Sequence, residues 1–275
     1  MTTSPGSPSS PGVSPLSYAR QCAEIVAQAE LLASRIAAAD LTVPVPSCPG
    51  WNVGQLVRHL GGGQRWAEEM VRTRATEPAS DAFFRDLAPY AHEDPTVLTP
   101  WLREGAEQLA DTLRAAGPEA ALWTPVPGGT AAFYARRFTH ETAIHRADAI
   151  LALGERYTLD EAVAVDAFDE WLELGSLPRH FEVDPRMREL LGPGRTLHLH
   201  ATDIAPEAGA EWVVDLTGDV ITWRRGHEKC AVAVRGPLVE LLLLVYRRRP
   251  AGNRTFEILG DAGLLGFWLD RVGFG

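Results

Sequence analysis

RRFTHETAIHRADA, residues Arg136 to Ala149, sits inside a run from about Ala131 to Ala152 that is rich in Ala and free of Pro and Gly. Such a run reads as a helix. At about 100° per residue, Glu141 and His145 lie roughly 40° apart on one face and one turn apart, so they can share a ligand. The string HETAIH looks like the zinc-protease HExxH with its second histidine one residue late. His140 and His145 are about 140° apart, a regular helix cannot aim both at one metal, and a zinc protease of that type is excluded. An exposed i,i+4 pair would leave the same pattern as a site does.

Working outward, three more helices precede this one. Tyr18 to Ala39 repeats apolar residues at helical spacing, with Ile25, Leu32 and Ile36 on one side. LTVPVPSCPGW then forces a turn before a helix that starts near Asn52, a good N-cap, and carries Leu56, His59 and Leu60. Val97 to Ala116 follows, stopped by Gly117-Pro118. Another helix, Leu159 to Leu174, ends at Gly175. After Pro178 the pattern changes to short alternating runs rich in β-branched residues: TLHLHAT, EWVVDL, DVITW and KCAVAV, separated by turn signals such as Thr217-Gly218-Asp219. Helices at Pro237 to Arg248 and Ala262 to Val272 flank a further short strand at Thr255 to Leu259. The expected organisation is a tail over residues 1–15, an all-helical domain over 16–178 and an α+β domain over 179–275.

Bulk properties agree with two cores: 275 residues and 29.9 kDa exceed one small domain. At 45% hydrophobic and 23% charged residues, wholesale disorder and a fibrous chain are excluded. A net charge of −10 argues against a broad phosphate-covering surface, so nucleic acid is not an expected partner. The densest apolar run, Leu241 to Val245, is far short of a membrane span. The first fifteen residues, MTTSPGSPSSPGVSP, lack the basic start and apolar centre of a secretory signal and read as a disordered Pro/Ser/Gly tail; a cytoplasmic protein is expected. Cys22, Cys48 and Cys230 are widely spaced and odd in number, giving neither a disulfide framework nor a CxxC metal knuckle.

A catalytic zinc commonly takes three protein ligands, so Glu141 and His145 would need a third from another helix. His59 is the best candidate. It is followed, after Leu60, by Gly61-Gly62-Gly63, costly in a helix at about 1 kcal/mol per Gly relative to Ala, which implies a close approach to the backbone there. A buried, hydrogen-bonded histidine beside a frayed helix end would read the same way, and spacing alone cannot join the two helices. Cys48 adjoins no histidine and reads as structural. Asp148, near one turn beyond His145, either orients it or is an ordinary helix-surface Asp. His198 and His200 share one strand face, but no third ligand is evident, and a polar outer face is expected.

The stretch SCPGWNVGQLVRHLGGGQRWA, Ser47 to Ala67, resembles the signature that opens the second helix of the mycothiol-dependent maleylpyruvate isomerase family, within the DinB-like metal-binding four-helix bundles. RRFTHETAIHRADA resembles that family's second signature, and the order of domains matches. The resemblance implies an up-and-down four-helix bundle followed by a small α+β domain. It implies a divalent metal, zinc before others, on His59, Glu141 and His145, and mycothiol as the thiol cosubstrate. It also implies a small electrophilic substrate or unsaturated acid. The reaction is then a cis-trans isomerisation or an S-transfer. A non-catalytic metal- or ligand-binding regulatory protein, or a secondary-metabolite tailoring enzyme on the same scaffold, are the alternatives. Arg248 matches the arginine that holds an anionic group in the family, although Arg247 stands where a glycine is usual; the Arg247-Arg248-Arg249 cluster could equally be a solvated face.

Overall fold

The computed structural model describes residues 16–272, so the expected tail at 1–15 lies outside the described residues. Two compact units divide between Leu159 and Asp160.

The first unit is a four-helix bundle of α1 (Tyr18–Ile36), α2 (Val53–Thr73), α3 (Pro95–Ala116) and α4 (Ala131–Ala152). Each start has a local cause. The Ser17 side chain accepts from the Arg20 N–H, Asn52 and Gln55 form a reciprocal capping box, and Asp94 caps α3 with Pro95 in its first turn. Gly117, with φ at 78°, ends α3. Ile25, Leu32, Ile36, Leu56, Leu102, Leu109 and Leu113 bury their side chains completely in the shared core.

Side-chain bonds between helices give their directions. Thr139 Oγ1 donates to Gln21 O and Arg146 Nε to Gln28 Oε1, so α1 and α4 run the same way. Arg65 reaches Trp101 O while Thr112 Oγ1 donates to Glu68, so α2 and α3 also run the same way. Tyr18 Oη donates to Leu113 O and Arg103 pairs with Glu30, which sets α1 against α3. The expected four-helix bundle is therefore present, but its order is up, down, down, up and not the alternating up-and-down order expected, because a long connection lets α2 and α3 run parallel. Because α2 and α3 are parallel, residues 74–94 must return along the length of α2. Trp66 Nε1 donates to Ala79 O, Gln55 Nε2 to Leu87 O and Asn52 Nδ2 to Ala91 O, so this strap lies antiparallel to α2.

The second unit contains α5 (Glu161–Gly175), the single turn α6 (His180–Val183), and strands β1 (Thr196–Ala201), β2 (Glu211–Asp215), β3 (Thr222–Arg225), β4 (Val232–Gly236) and β5 (Glu257–Gly260). Helix α7 (Leu238–Val245) follows β4 and α8 (Ala262–Leu269) follows β5. The sheet order is β3-β2-β1-β4-β5, with only β1 and β4 parallel. Helix α5 is placed differently from the pattern-based expectation, which left it with the bundle. Its Phe168 stacks on Trp212 at 4.0 Å, Asp169 accepts from Trp212 Nε1, and Trp171 meets Trp268 edge-on at 5.3 Å. Periodicity announces a helix but does not say which core receives its apolar face. No helix among the described residues is long and apolar enough to cross a membrane.

Candidate functional site

His59 comes from the second turn of α2, and Glu141 and His145 from successive turns of α4. The structure brings all three together: the two imidazoles meet edge to face at 5.4 Å between ring centroids, and His145 Nε2 is 3.2 Å from Glu141 Oε2. His145 is buried and Glu141 partly exposed, so this is not the exposed surface pair that the spacing alone allowed.

Two contacts fix which ring nitrogens are available. His59 Nδ1 lies 2.8 Å from the Phe84 carbonyl, which can only accept, so Nδ1 carries the proton and Nε2 the lone pair. His145 Nδ1 lies 2.9 Å from Asp148 Oδ2, which orients the ring in the same way. Asp148 is fully buried and also accepts from Ser47 Oγ at 2.6 Å; it is no surface residue. Trp51 flanks the His59 ring at 4.8 Å.

Two of the three glycines behind His59 have the close neighbours their cost implied. A Cβ on Gly61 would stand 2.3 Å from the Trp101 ring, and one on Gly62 would stand 2.5 Å from Phe84 Cβ. Gly62 therefore admits Phe84, and Phe84 supplies the carbonyl that holds His59. Gly63 has only ordinary contact with Phe138 at 3.5 Å.

The charges are arranged in opposition. Burial, and then the charge of His145, push His59 down to about 4, leaving it neutral. Burial alone would also lower His145, but hydrogen bonds to Asp148 and Glu141 overcome it and lift the imidazole to about 9. Burial would raise Glu141, yet Arg137 at 3.0 Å and the charged, hydrogen-bonded His145 hold its carboxyl well below the usual range.

Cys48 lies 3.7 Å from Asp148 Oδ2, and Cys48, His145 and Asp148 can each bring one ligand atom within 4.8 Å of the others. His140, on the opposite side of α4 from His145 by the helix count, is buried. Arg248 belongs to the second unit, beyond the end of α7. Arg247 adopts φ of 61°, the left-handed conformation a glycine would take with less strain, and the turn forms despite the substitution. Arg248 N donates to Leu243 O at 2.7 Å and its Nη1 to Tyr246 O at 2.7 Å. Phe84, Ser47 and Trp51 escaped the sequence reading because a backbone carbonyl, a turn serine and a turn tryptophan have no spacing relation to the residues they hold.

Residues 22–150 match the family model of the mycothiol maleylpyruvate isomerase (MDMPI) N-terminal domain, and residues 162–267 match that of the MDMPI C-terminal domain. Among solved structures, that of the mycothiol-dependent maleylpyruvate isomerase is similar over 88% of this chain and 93% of that chain, at TM-score 0.58 and 14% identity. A point mutant of such an isomerase is similar over 83% of this chain and 88% of that chain, at TM-score 0.55 and 14% identity. At that identity the likeness concerns the fold. No curated protein matches.

Proposed function

The chain belongs to the mycothiol maleylpyruvate isomerase family, whose two domain models it matches in order, and from that premise we propose a metal-dependent enzyme that uses mycothiol to isomerise an unsaturated acid about a carbon-carbon double bond. The observation that carries the proposal is the convergence of His59 and His145 with both Nδ1 atoms already engaged. The His59 Nε2 lone pair, the His145 Nε2 once its proton leaves, and the Glu141 carboxylate are the donors, a nitrogen-nitrogen-oxygen set suited to zinc with positions left open.

A zinc ion, when bound, would lower the pKa of a thiol from about 8.5 and so supply a thiolate at neutral pH. The chain's own residues do the rest. Asp148 and the Phe84 carbonyl fix the two imidazoles, Arg137 holds Glu141 from one turn earlier on α4, and Trp51 and Phe84 wall the His59 side with aromatic surface. The thiolate sulfur adds to one alkene carbon and the π electrons move into the conjugated carbonyl. Rotation about the resulting single bond follows, and return of the electron pair expels the thiolate. Nothing is oxidised or reduced. Arg248 is our candidate for the anionic group of the acid, since guanidinium pairs well with carboxylate.

Cys48, His145 and Asp148 are the less suitable metal trio, because Asp148 is fully buried and already accepts from Ser47 and His145. The test is to incubate the zinc-loaded protein with mycothiol and maleylpyruvate and follow the alkene protons by NMR. Thiol-dependent appearance of the trans isomer is expected, abolished in His59→Ala and retained in Cys48→Ser. Accumulation of a stable thioether would make the enzyme an S-transferase, and absence of any thiol-dependent change would remove the catalytic reading.

A further inference from the structure

The sequence led us to expect His198 and His200 on a polar outer face without a third ligand. The sheet register supplies two. His200 lies directly across the antiparallel pair from Glu211, and His198 shares its face two residues earlier. The Gly226 N–H donates to Glu211 O, which brings His227, on the connection between β3 and β4, to the same carboxylate.

Three imidazole nitrogens converge on one oxygen. Glu211 Oε2 is 2.8 Å from His198 Nε2, 2.6 Å from His227 Nδ1 and 3.0 Å from His200 Nδ1. The rings stand edge to face with centroids 5.0 to 5.8 Å apart. The oxygen has lone pairs for two of these nitrogens in good geometry; His200 Nδ1 is buried beside it and makes no hydrogen bond. Hydrogen bonding alone therefore leaves the cluster incomplete.

We propose that His198, His200, Glu211 and His227 form a second metal site, for zinc or a similar imidazole-binding dication, separate from the bundle triad. One ligand atom from each residue lies within 4.8 Å of all the others, and bonds of about 2.0 to 2.1 Å to zinc draw such atoms to roughly 3.4 Å apart. Three imidazoles and one carboxylate select zinc, nickel or copper over magnesium or calcium, which prefer all-oxygen shells. The four ligands complete a tetrahedron, so the ion ties structure together instead of receiving substrate. His198 is buried and His227 exposed, which gives an ion an entry path from solvent. Loading the site pins the β3 to β4 connection onto β1 and β2.

The site does not depend on the proposed catalytic function, and one set of variants separates them. Full-length, tag-free protein is stripped with chelator, equilibrated with buffered micromolar zinc, and assayed for bound metal and thermal stability. We expect about two zinc ions per chain in the native sequence and about one in His59→Ala/His145→Ala. Adding His227→Ala to that variant should weaken the remaining zinc at least tenfold, as should Glu211→Gln. The His227 side chain is largely exposed, so its removal leaves the fold intact, checked by circular dichroism. A folded His59→Ala/His145→Ala variant without zinc would overturn this site and leave the bundle site standing. Zinc that survives both His227→Ala and His200→Ala at unchanged affinity would overturn it too. A single native zinc lost only on His227→Ala would support this site and count against the bundle triad.

Discussion

His59 and His145 face one another with opposite shifts, and together they set how the metal-free protein answers to pH. His59 titrates near 4 when folded and near 6.5 when unfolded, so between those values only the unfolded chain takes up its proton and stability falls as pH falls. His145 titrates near 9 when folded against 6.5 unfolded. Its contribution is complete below 6.5 and is lost as pH rises through 9. The pair thus favours an optimum near pH 6.5. Thermal melts of chelator-treated protein should show it, with His59→Gln flattening the acid limb and His145→Gln the alkaline one; an alkaline limb unchanged in His145→Gln would refute this account. Zinc reverses the alkaline trend, because it can take His145 Nε2 only after the proton there has left. Zinc affinity is expected to climb with pH up to about 9, with net proton release seen as a buffer-dependent binding heat. Asp148→Asn, which keeps every proposed ligand but weakens the hold on His145 Nδ1, should reduce zinc affinity by about 10- to 100-fold.

Helix α2 couples its own shape to the site through consecutive glycines. Gly62→Ala would drive a methyl against Phe84 and displace the carbonyl that holds His59, whereas Gly63→Ala meets only ordinary contact. Both gain about 1 kcal/mol of helix propensity. Gly62→Ala is nevertheless expected to lose about 1 to 3 kcal/mol by overpacking and to weaken zinc binding, while Gly63→Ala leaves binding unchanged. Equal effects in the two variants, measured by denaturant unfolding and zinc titration, would contradict the packing argument. The costly glycines were legible in the sequence, as were the Asn52 cap, the Gly117 stop and the shared face of Glu141 and His145, because each follows from local geometry. What filled the glycine space was not: Phe84 arrives from a connection with no periodic pattern. Glu211 and His227 were hidden for a related reason. Strand pairing assembles them with His198 and His200, and register between strands cannot be read from one strand alone.

At the scale of the molecule, the same limit explains α5. Its residues spell a helix, yet Phe168 and Trp171 find their partners in Trp212 and Trp268, far along the chain. A fragment ending at Leu159 should therefore be soluble, helical and able to bind zinc. One ending at residue 178 would carry the apolar face of α5 without its sheet and should bind a hydrophobic dye or aggregate; the reverse ranking would show that α5 stabilises the bundle. Arg248→Ala should lower kcat/KM for an anionic substrate by about tenfold, equivalent to about 1.4 kcal/mol, with zinc content unchanged. An unaltered kcat/KM would free Arg248 from that role. The return of residues 74–94 along α2 has one more effect. Over the 21 residues of that helix, about 31 Å long, the strap is anchored at Ala79, Phe84, Leu87 and Ala91. It works as a ruler, each anchor measured off in residues from the last. Connections ordinarily absorb insertions and deletions; here a one-residue deletion between Ala79 and Phe84 would bring the wrong carbonyl to His59, so a change of length in this stretch should be penalised as it would be inside a helix.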